Sequence, residues 1–203
     1  MTASPSIIIL GNGPIDADIA EQVDNCERVV RFNFCADMPE KLGTKCTDLW
    51  LTGRGRQAAK LLKAPINPKL YKVKNVVITD PEPSPISQSF FKLIHRQGKI
   101  DHGGLLQQKY SPVEQSSRLS SEFRTDLLAR LLLLGEPSCK PRCASSGLLA
   151  IEYFLAHYQT VHIAGFGFKG WKRHPWQQEK QYISNLIAQG KVVPLVESSV
   201  LAS

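Results

Sequence analysis

Short runs of continuous apolar residues alternate along the chain with longer segments of helical period. Residues 6–10 (Ser-Ile-Ile-Ile-Leu) are apolar up to Gly11-Asn12-Gly13-Pro14, the pattern of a strand buried on both faces. Further strands are predicted at 28–33, 49–52, 73–79, 160–164 and 191–196. Helices are predicted at 16–26, 121–134, 146–156 and 176–189, and one begins within 90–96. Pro14 suits a helix's first turn, with Asp16 and Asp18 at its positive end. Ser145 or Ser146 can cap the 146–156 helix, and Gly190 stops the last one. Gly53-Arg54-Gly55-Arg56 reads as a turn, 80–85 as a proline-rich loop and 169–175 as a basic aromatic loop. From Gly98 to Ser120 the sequence is polar without period, and is expected to be irregular: a mobile lid or acceptor segment at 98–120. Strands alternating with helices predict one α/β domain over 1–203, Rossmann-like, with a mostly parallel sheet.

Length agrees with one domain, since 203 residues match the ~100–200 of a typical domain. Hydrophobic residues at 42% and charged residues at 21% exclude a disordered or fibrous chain. No apolar run reaches the ~18–20 residues of a membrane helix; the longest, 127–134, is interrupted by Arg130. No Lys or Arg precedes Ile7, so no secretory leader is expected. Five cysteines, an odd number without Cys-x-x-Cys, suit reduced thiols in a cytoplasm and give no zinc-type ligand set. The net charge of +7 favours an anionic partner (nucleotide, nucleic acid, acidic sugar or membrane surface) or simply a soluble surface. The excess is spread along the chain and no recognition module is present, so nucleic acid is not expected.

Four segments have residue types suited to chemistry. Gly11-Asn12-Gly13-Pro14 joins a strand to a helix, where glycines permit close backbone approach and a helix start attracts anions; a tight turn needs the same residues. Asn33 ends the second strand, where open α/β sheets bind ligands; its amide can read a pyrimidine or ribose edge, or satisfy a turn. Ser145-Ser146-Gly147 sets two hydroxyls at a helix start, for an anion or for capping alone. His174, with Trp171 and Trp176 beside it and Glu179 five residues on, can take a proton near neutral pH, or lie solvated on the surface. Asp16-Ala17-Asp18 matches the metal-gripping Asp-x-Asp of some glycosyltransferases, but sits where helix capping explains it.

In this order the segments resemble the sialyltransferases. Residues 7–14, 29–33 and 42–49 look like the large sialylmotif of the animal family, and more closely like the N-terminal part of the small bacterial lipooligosaccharide enzymes. Ser145-Ser146-Gly147 with the later Gly165-Phe166 looks like the small sialylmotif. His174 with Glu179 looks like the very small one, His-x-x-x-x-Glu. Val192-Val193-Pro194-Leu195 and Ser198-Ser199-Val200-Leu201 are similar to the bacterial tail. The resemblance covers 6–53 and 142–203, a little over half the chain.

It implies a two-layered α/β fold of the variant glycosyltransferase-A type and an inverting, metal-independent transfer from CMP-sialic acid, or a related CMP-activated acidic sugar, to a glycan or lipooligosaccharide hydroxyl. His174 would be the general base. Gly11, Asn12, Gly13, Asn33, Ser145, Ser146, Gly147 and Glu179 would form the donor site, with Thr52 where the bacterial family has Asn. Arg142 could pair with a phosphate or carboxylate bidentately. Where the family implies paired tyrosines, residues 166–171 hold Phe166, Phe168 and Trp171 but no tyrosine, and Arg173 or Lys172 would have to take their role. That departure keeps a second expectation open, a catalytically inactive relative that binds CMP or a nucleotide sugar. No cofactor or metal is implied, and the expected partners are the CMP-sugar, the acceptor and a peripherally contacted membrane.

Overall fold

The computed structural model describes residues 5–35, 38–70 and 73–196. The tail residues 198–201 that resemble the bacterial form lie outside them. The strands are β1 (Ile7–Leu10), β2 (Arg28–Phe32), β3 (Asp48–Leu51), β4 (Asn75–Ile78), β5 (Gln115–Arg118), β6 (Val161–Ala164) and β7 (Val192–Pro194). All pairings are parallel, in the order β5-β4-β3-β2-β1-β6-β7. The chain therefore builds outward from β1 to β5, then crosses back to place β6 on the other side of β1. The expected Rossmann-like parallel sheet is present.

The helices are α1 (Ala20–Asn25), α2 (Gly55–Lys63), α3 (Pro85–Leu93), α4 (Gly103–Lys109), α5 (Ser121–Leu132), α6 (Ser146–Leu155) and α7 (Trp176–Ala188). Side chains alternate across each strand, so each face of the sheet needs its own cover. Ile7, Ile9, Val30, Phe32, Trp50 and Val77 face α5, α6 and α7, together with Val161 and Ile163. Leu49, Leu51, Val76 and Ile78 face Ala58 and Leu61 of α2 and Leu106 of α4. Ile8, Leu10 and Val29 pack on Ile15, Ile19 and Val23 beside them. The result is three layers rather than the two expected, because both faces of the central strands are apolar.

Four local expectations are corrected. The first helix begins at Ala20, not 16: residues 14–19 run as a non-helical strap whose Ile15 and Ile19 are buried, and Asp18 caps the backbone N–H of Ala20 at 3.0 Å. Gly53 to Arg56 is not only a turn, because α2 starts at Gly55 and buries Ala58 and Leu61. The third helix runs from Pro85 to Leu93 and so ends near where it was expected to begin; Ser84 caps it and Pro85 opens it. The 98–120 stretch is not irregular, since it holds α4 and β5. Strand β5 was hidden because Gln115, Ser116 and Ser117 are exposed at the sheet's edge, and its partner is backbone rather than core. Helix α3 buries no residue and leaves Ile86, Phe90 and Leu93 exposed at i, i+4, i+7.

Two buried side chains fix the centre. The Arg31 guanidinium, 2% exposed, donates to the carbonyls of Lys45, Leu42 and Gly43 and so ties the approach to β3 onto β2. Trp50, fully buried, packs edge-on to Phe32 and Tyr153, at ring separations of 6.4 and 5.4 Å, and against Phe154. Truncating such a ring in an unyielding core costs about 3–5 kcal/mol. Trp50→Ala is therefore expected to lower the urea-unfolding free energy by that amount, against under about 0.5 kcal/mol for exposed Gln177→Ala.

Candidate functional site

The site lies along the carboxyl edge of the sheet, outside the point where the strand order reverses between β1 and β6. Open α/β sheets bind ligands in such crevices. The reversal is made of glycine. Gly11 N–H donates to the Ala164 carbonyl at 2.8 Å, and Gly13 N–H to the Gly165 carbonyl at 2.9 Å. A Cβ on Gly13 would stand 2.6 Å from the Gly165 oxygen. The close backbone approach these glycines permit is thus to the β6 turn itself. Likewise, a Cβ at Gly147 would stand 2.7 Å from the Phe166 ring.

From β1 toward β4, polar side chains link the strand ends. The Asn12 amide donates to the Phe32 carbonyl at 3.4 Å. Asn33, at a positive φ of 54°, accepts from the Thr52 N–H at 2.9 Å. Its short amide tolerates the left-handed conformation and turns it to use. Thr52 Oγ1 donates to Asp80 at 3.1 Å, and Gly53 N–H to the same carboxylate oxygen at 2.8 Å. Arg124 of α5 pairs with the other oxygen at 3.0 Å and donates to the Thr79 carbonyl. Asn12, Asn33 and Thr52 are thereby brought to one edge.

The second half is built from α6 and α7. Ser145 is the N-cap of α6: its Oγ accepts from Leu148 N–H at 3.3 Å and donates to Glu179 at 2.5 Å. Ser145 N–H donates to the other Glu179 oxygen at 2.7 Å. Glu179 is 1% exposed; burial raises its pKa to about 7, against the lowering effect of the two Ser145 hydrogen bonds. Ser146 and Gly147 form the first turn of α6, where backbone N–H groups have no partner within the helix.

His174 stands just before α7. Its ring is held edge-on by Trp171 and Trp176, with centroids 5.0 and 4.9 Å away. Nδ1 lies 2.9 Å from the Cys143 carbonyl oxygen, an acceptor only. Nδ1 therefore carries the proton, and Nε2 presents its lone pair. Burial pushes the His174 pKa down and the Arg124 charge adds to this, while the Cys143 hydrogen bond opposes it. The loop is fixed from both sides: Arg142 N–H donates to the Arg173 carbonyl at 3.0 Å, and His174 N–H to the Trp171 carbonyl at 3.1 Å. A neutral imidazole oriented in this way is suited to accepting a proton from a hydroxyl.

Arg142 adjoins the other candidates, through Asp80 to Thr52 and through its own N–H to the Arg173 carbonyl beside His174, but has no contact with Asn12 or Asn33 among the described residues. It lines a cleft of about 150 Å³ with Arg54, Asp80 and Arg124, at the β3–β4 end of the edge. Sequence reasoning missed Asp80 and Arg124. Asp80 had a signal, a carboxylate directly after a strand end. Arg124 had none, because its partner is 44 residues away. Asp16 and Asp18 lie in the strap before α1, with Asp18 used as a cap. Among the described residues no cluster of three or more His, Cys, Asp or Glu could hold a metal ion, and all five cysteines are free thiols.

The chain covers 94% and 93% of its length on two crystal structures of a mammalian sialyltransferase, one in complex with Gal-beta-1-3GalNAc-ortho-nitrophenol. The TM-score is 0.59 in both cases, at 15% identity, over 69% and 68% of those chains. The chain shares the parallel α/β fold of these two structures. No family model matches the sequence. A relative in sequence is the "Urease operon 23 kDa accessory protein" of Rhizobium meliloti (strain 1021), 27% identical over 95% of this chain and 93% of that one.

Glu179 gives the site a pH signature. Its pKa is raised above the ordinary value of 4.5, so between pH 4.5 and about 7 the folded state binds more protons than the unfolded. Its contribution to stability is full below pH 4.5 and is lost as pH rises through about 7. Unfolding free energies from urea titrations between pH 4.5 and 8 are expected to fall for the native chain relative to Glu179→Gln, by about 3 kcal/mol across the window.

Proposed function

We propose that this chain is a sialyltransferase-like glycosyltransferase, inverting and metal-independent. It moves sialic acid or a related acidic sugar from a CMP donor to a glycan hydroxyl. The observation that carries the reading is His174, neutral, with Nδ1 committed to the Cys143 carbonyl and Nε2 left as acceptor, beside the Ser145–Glu179 cap. Asn12, Asn33 and Thr52 hold the ribose and phosphate side of CMP, and the first turn of α6 with Ser146 and Gly147 receives the cytidine or the sugar carboxylate. Glu179 acts from behind: it fixes Ser145 and hence the start of α6. The acceptor hydroxyl gives its proton to His174 Nε2 as its oxygen bonds to the anomeric carbon. The bond from that carbon to the CMP phosphate oxygen breaks, and the electron pair leaves with CMP. The transition state is oxocarbenium-like. Nearby carboxylates are already committed, Asp80 to Arg124 and Glu179 to Ser145, which favours cationic and hydrogen-bond stabilisation of the leaving phosphate.

Calorimetric titration of the metal-free protein with CMP, UMP, GMP and AMP tests the donor site; selective CMP binding is the expected result. His174→Ala is then expected to abolish transfer while CMP affinity stays within about threefold. The acid limb of the native rate profile should fall below pH 6.5, because the neutral base is required and its pKa is lowered. Normal transfer by His174→Ala, or no CMP binding at all, would sink the reading.

The absence of tyrosine at Phe166, Phe168 and Trp171 favours a second reading, a CMP-binding relative without transferase activity. Selective CMP binding with neither transfer nor hydrolysis of CMP-sialic acid would select it.

A peripheral membrane contact for a lipid-linked acceptor forms part of the proposal. Its support is the exposed Ile86, Phe90 and Leu93 face of α3, with Lys92 and Arg96 beside it. Co-sedimentation with phosphatidylglycerol vesicles is expected, and Phe90→Ser with Leu93→Ser should reduce it at least fivefold.

A further inference from the structure

The cleft beyond the donor edge has charges that the transfer reaction does not use. Arg54, Arg124 and Arg142 line it, with Asp80 as the carboxylate among the lining residues. Asp80 is neutralised by Arg124 at 3.0 Å. The neighbouring Asp101 is taken by Arg118, with contacts of 2.8 and 3.2 Å, and meets Arg54 Nε only at 4.0 Å. That Nε is buried without a hydrogen-bond partner among the described residues. Arg142, Arg173, Arg96 and Lys99 form no ion pair among the described residues. Yet Arg142, Arg54, Arg96 and Arg173 all act on Lys99, pushing its pKa down after burial itself. Like charges gathered this closely cost free energy, which a bound anion offsets.

The segment 99–102 beside Arg54 is fixed in place. Gln88 of α3 donates to the Lys99 carbonyl at 3.2 Å and accepts from Asp101 N–H at 2.8 Å. Gly55 N–H donates to the Ile100 carbonyl at 3.2 Å, and His102 N–H to that of Gly53 at 2.7 Å. Arg54 is aimed by its own bond to the Pro81 carbonyl at 2.7 Å. The cleft is too small for a whole ligand: about 150 Å³ lies well under the ~300 Å³ at which ligand pockets begin. It fits one charged substituent of a larger molecule.

We propose that this cleft is an acceptor subsite for an anionic group, a phosphate or carboxylate on the acceptor glycan, held by Arg54 and Arg142. The inference rests on the transferase reading above. It moves Arg142 from the donor to the acceptor side, on the ground of its place beside Arg54 and Arg124 rather than beside Asn12 and Asn33. A guanidinium pair suits a planar carboxylate or a phosphate bidentately.

The experiment is calorimetry on the full chain at low ionic strength, free and saturated with CMP. The probes are inorganic phosphate, glucuronic acid and, as neutral control, glucose. Phosphate, glucuronic acid or both are expected to bind, glucose not, and CMP should change the anion affinity less than twofold. Arg54→Gln and Arg142→Gln should each weaken the anion at least tenfold and leave CMP affinity unchanged. The stronger probe identifies the charged group. Loss of anion binding in the CMP-saturated protein would make the cleft part of the donor site and overturn the proposal. So would an anion affinity indifferent to both variants, or weakened CMP binding in folded Arg142→Gln. CMP binding without anion binding defeats this inference alone. Anion binding without CMP binding defeats the transferase reading, and the acceptor role with it.

Discussion

A backbone-to-backbone contact at the middle of the sheet governs what stands around it. Where β1 and β6 end, Gly13 and Gly165 approach so closely that no side chain fits between them, and Gly165 itself has a positive φ of 74°. The two segments leave this contact in different directions. One becomes the strap that buries Ile15 and Ile19; the other becomes the loop that delivers Trp171 and His174. The crevice exists because the sheet's order reverses there, and the reversal can be this tight only because the turns consist of glycine. A larger residue at Gly13 would separate the strand ends and shift both the asparagines and the histidine.

Geometry at the edge is then fixed by reuse of a few groups. Ser145 is at once the cap of α6, the donor to Glu179 and the backbone anchor for α7. Asp80 receives Thr52, Gly53 and Arg124, and so ties together the ends of β3 and β4 and the flank of α5. Each is a partly or wholly buried acceptor with its donors in place, an arrangement that is rigid because every loss leaves an unpaired polar group. A reacting histidine supported in this way needs little reorganisation to work.

What could be read from the sequence follows from where the information lies. Strand β1 was legible because both its faces are buried and its residues are uniformly apolar, and β2 and β6 because their residues are mainly so, with Arg28, Arg31 and His162 as the exceptions. Ser145, His174 and Glu179 were legible as a pattern, and the structure joins Ser145 to Glu179 directly. Strand β5 was not, since exposed Gln115, Ser116 and Ser117 have no hydrophobic signature. Helix α2 was masked by Gly55 and Arg56 at its start, although Ala58 and Leu61 mark its buried side. The Arg124–Asp80 pair and the convergence of Arg54, Arg142 and Lys99 were beyond reach, because such contacts depend on how distant segments meet. The roles of Gly11, Gly13 and Gly147 were legible only as closeness; that their neighbours are Gly165 and Phe166 is a fact of tertiary structure.

The sheet's two outer strands have a consequence for how the molecule meets its neighbours. An outer strand with free N–H and C=O groups is a template on which another chain can add. Here β5 is four residues long and ends in Arg118, which Asp101 engages, while β7 has three residues and closes on Pro194, which has no N–H to offer. Among the described residues both margins are short, which blunts them as templates and favours contact between copies through side chains on helices and loops over shared backbone.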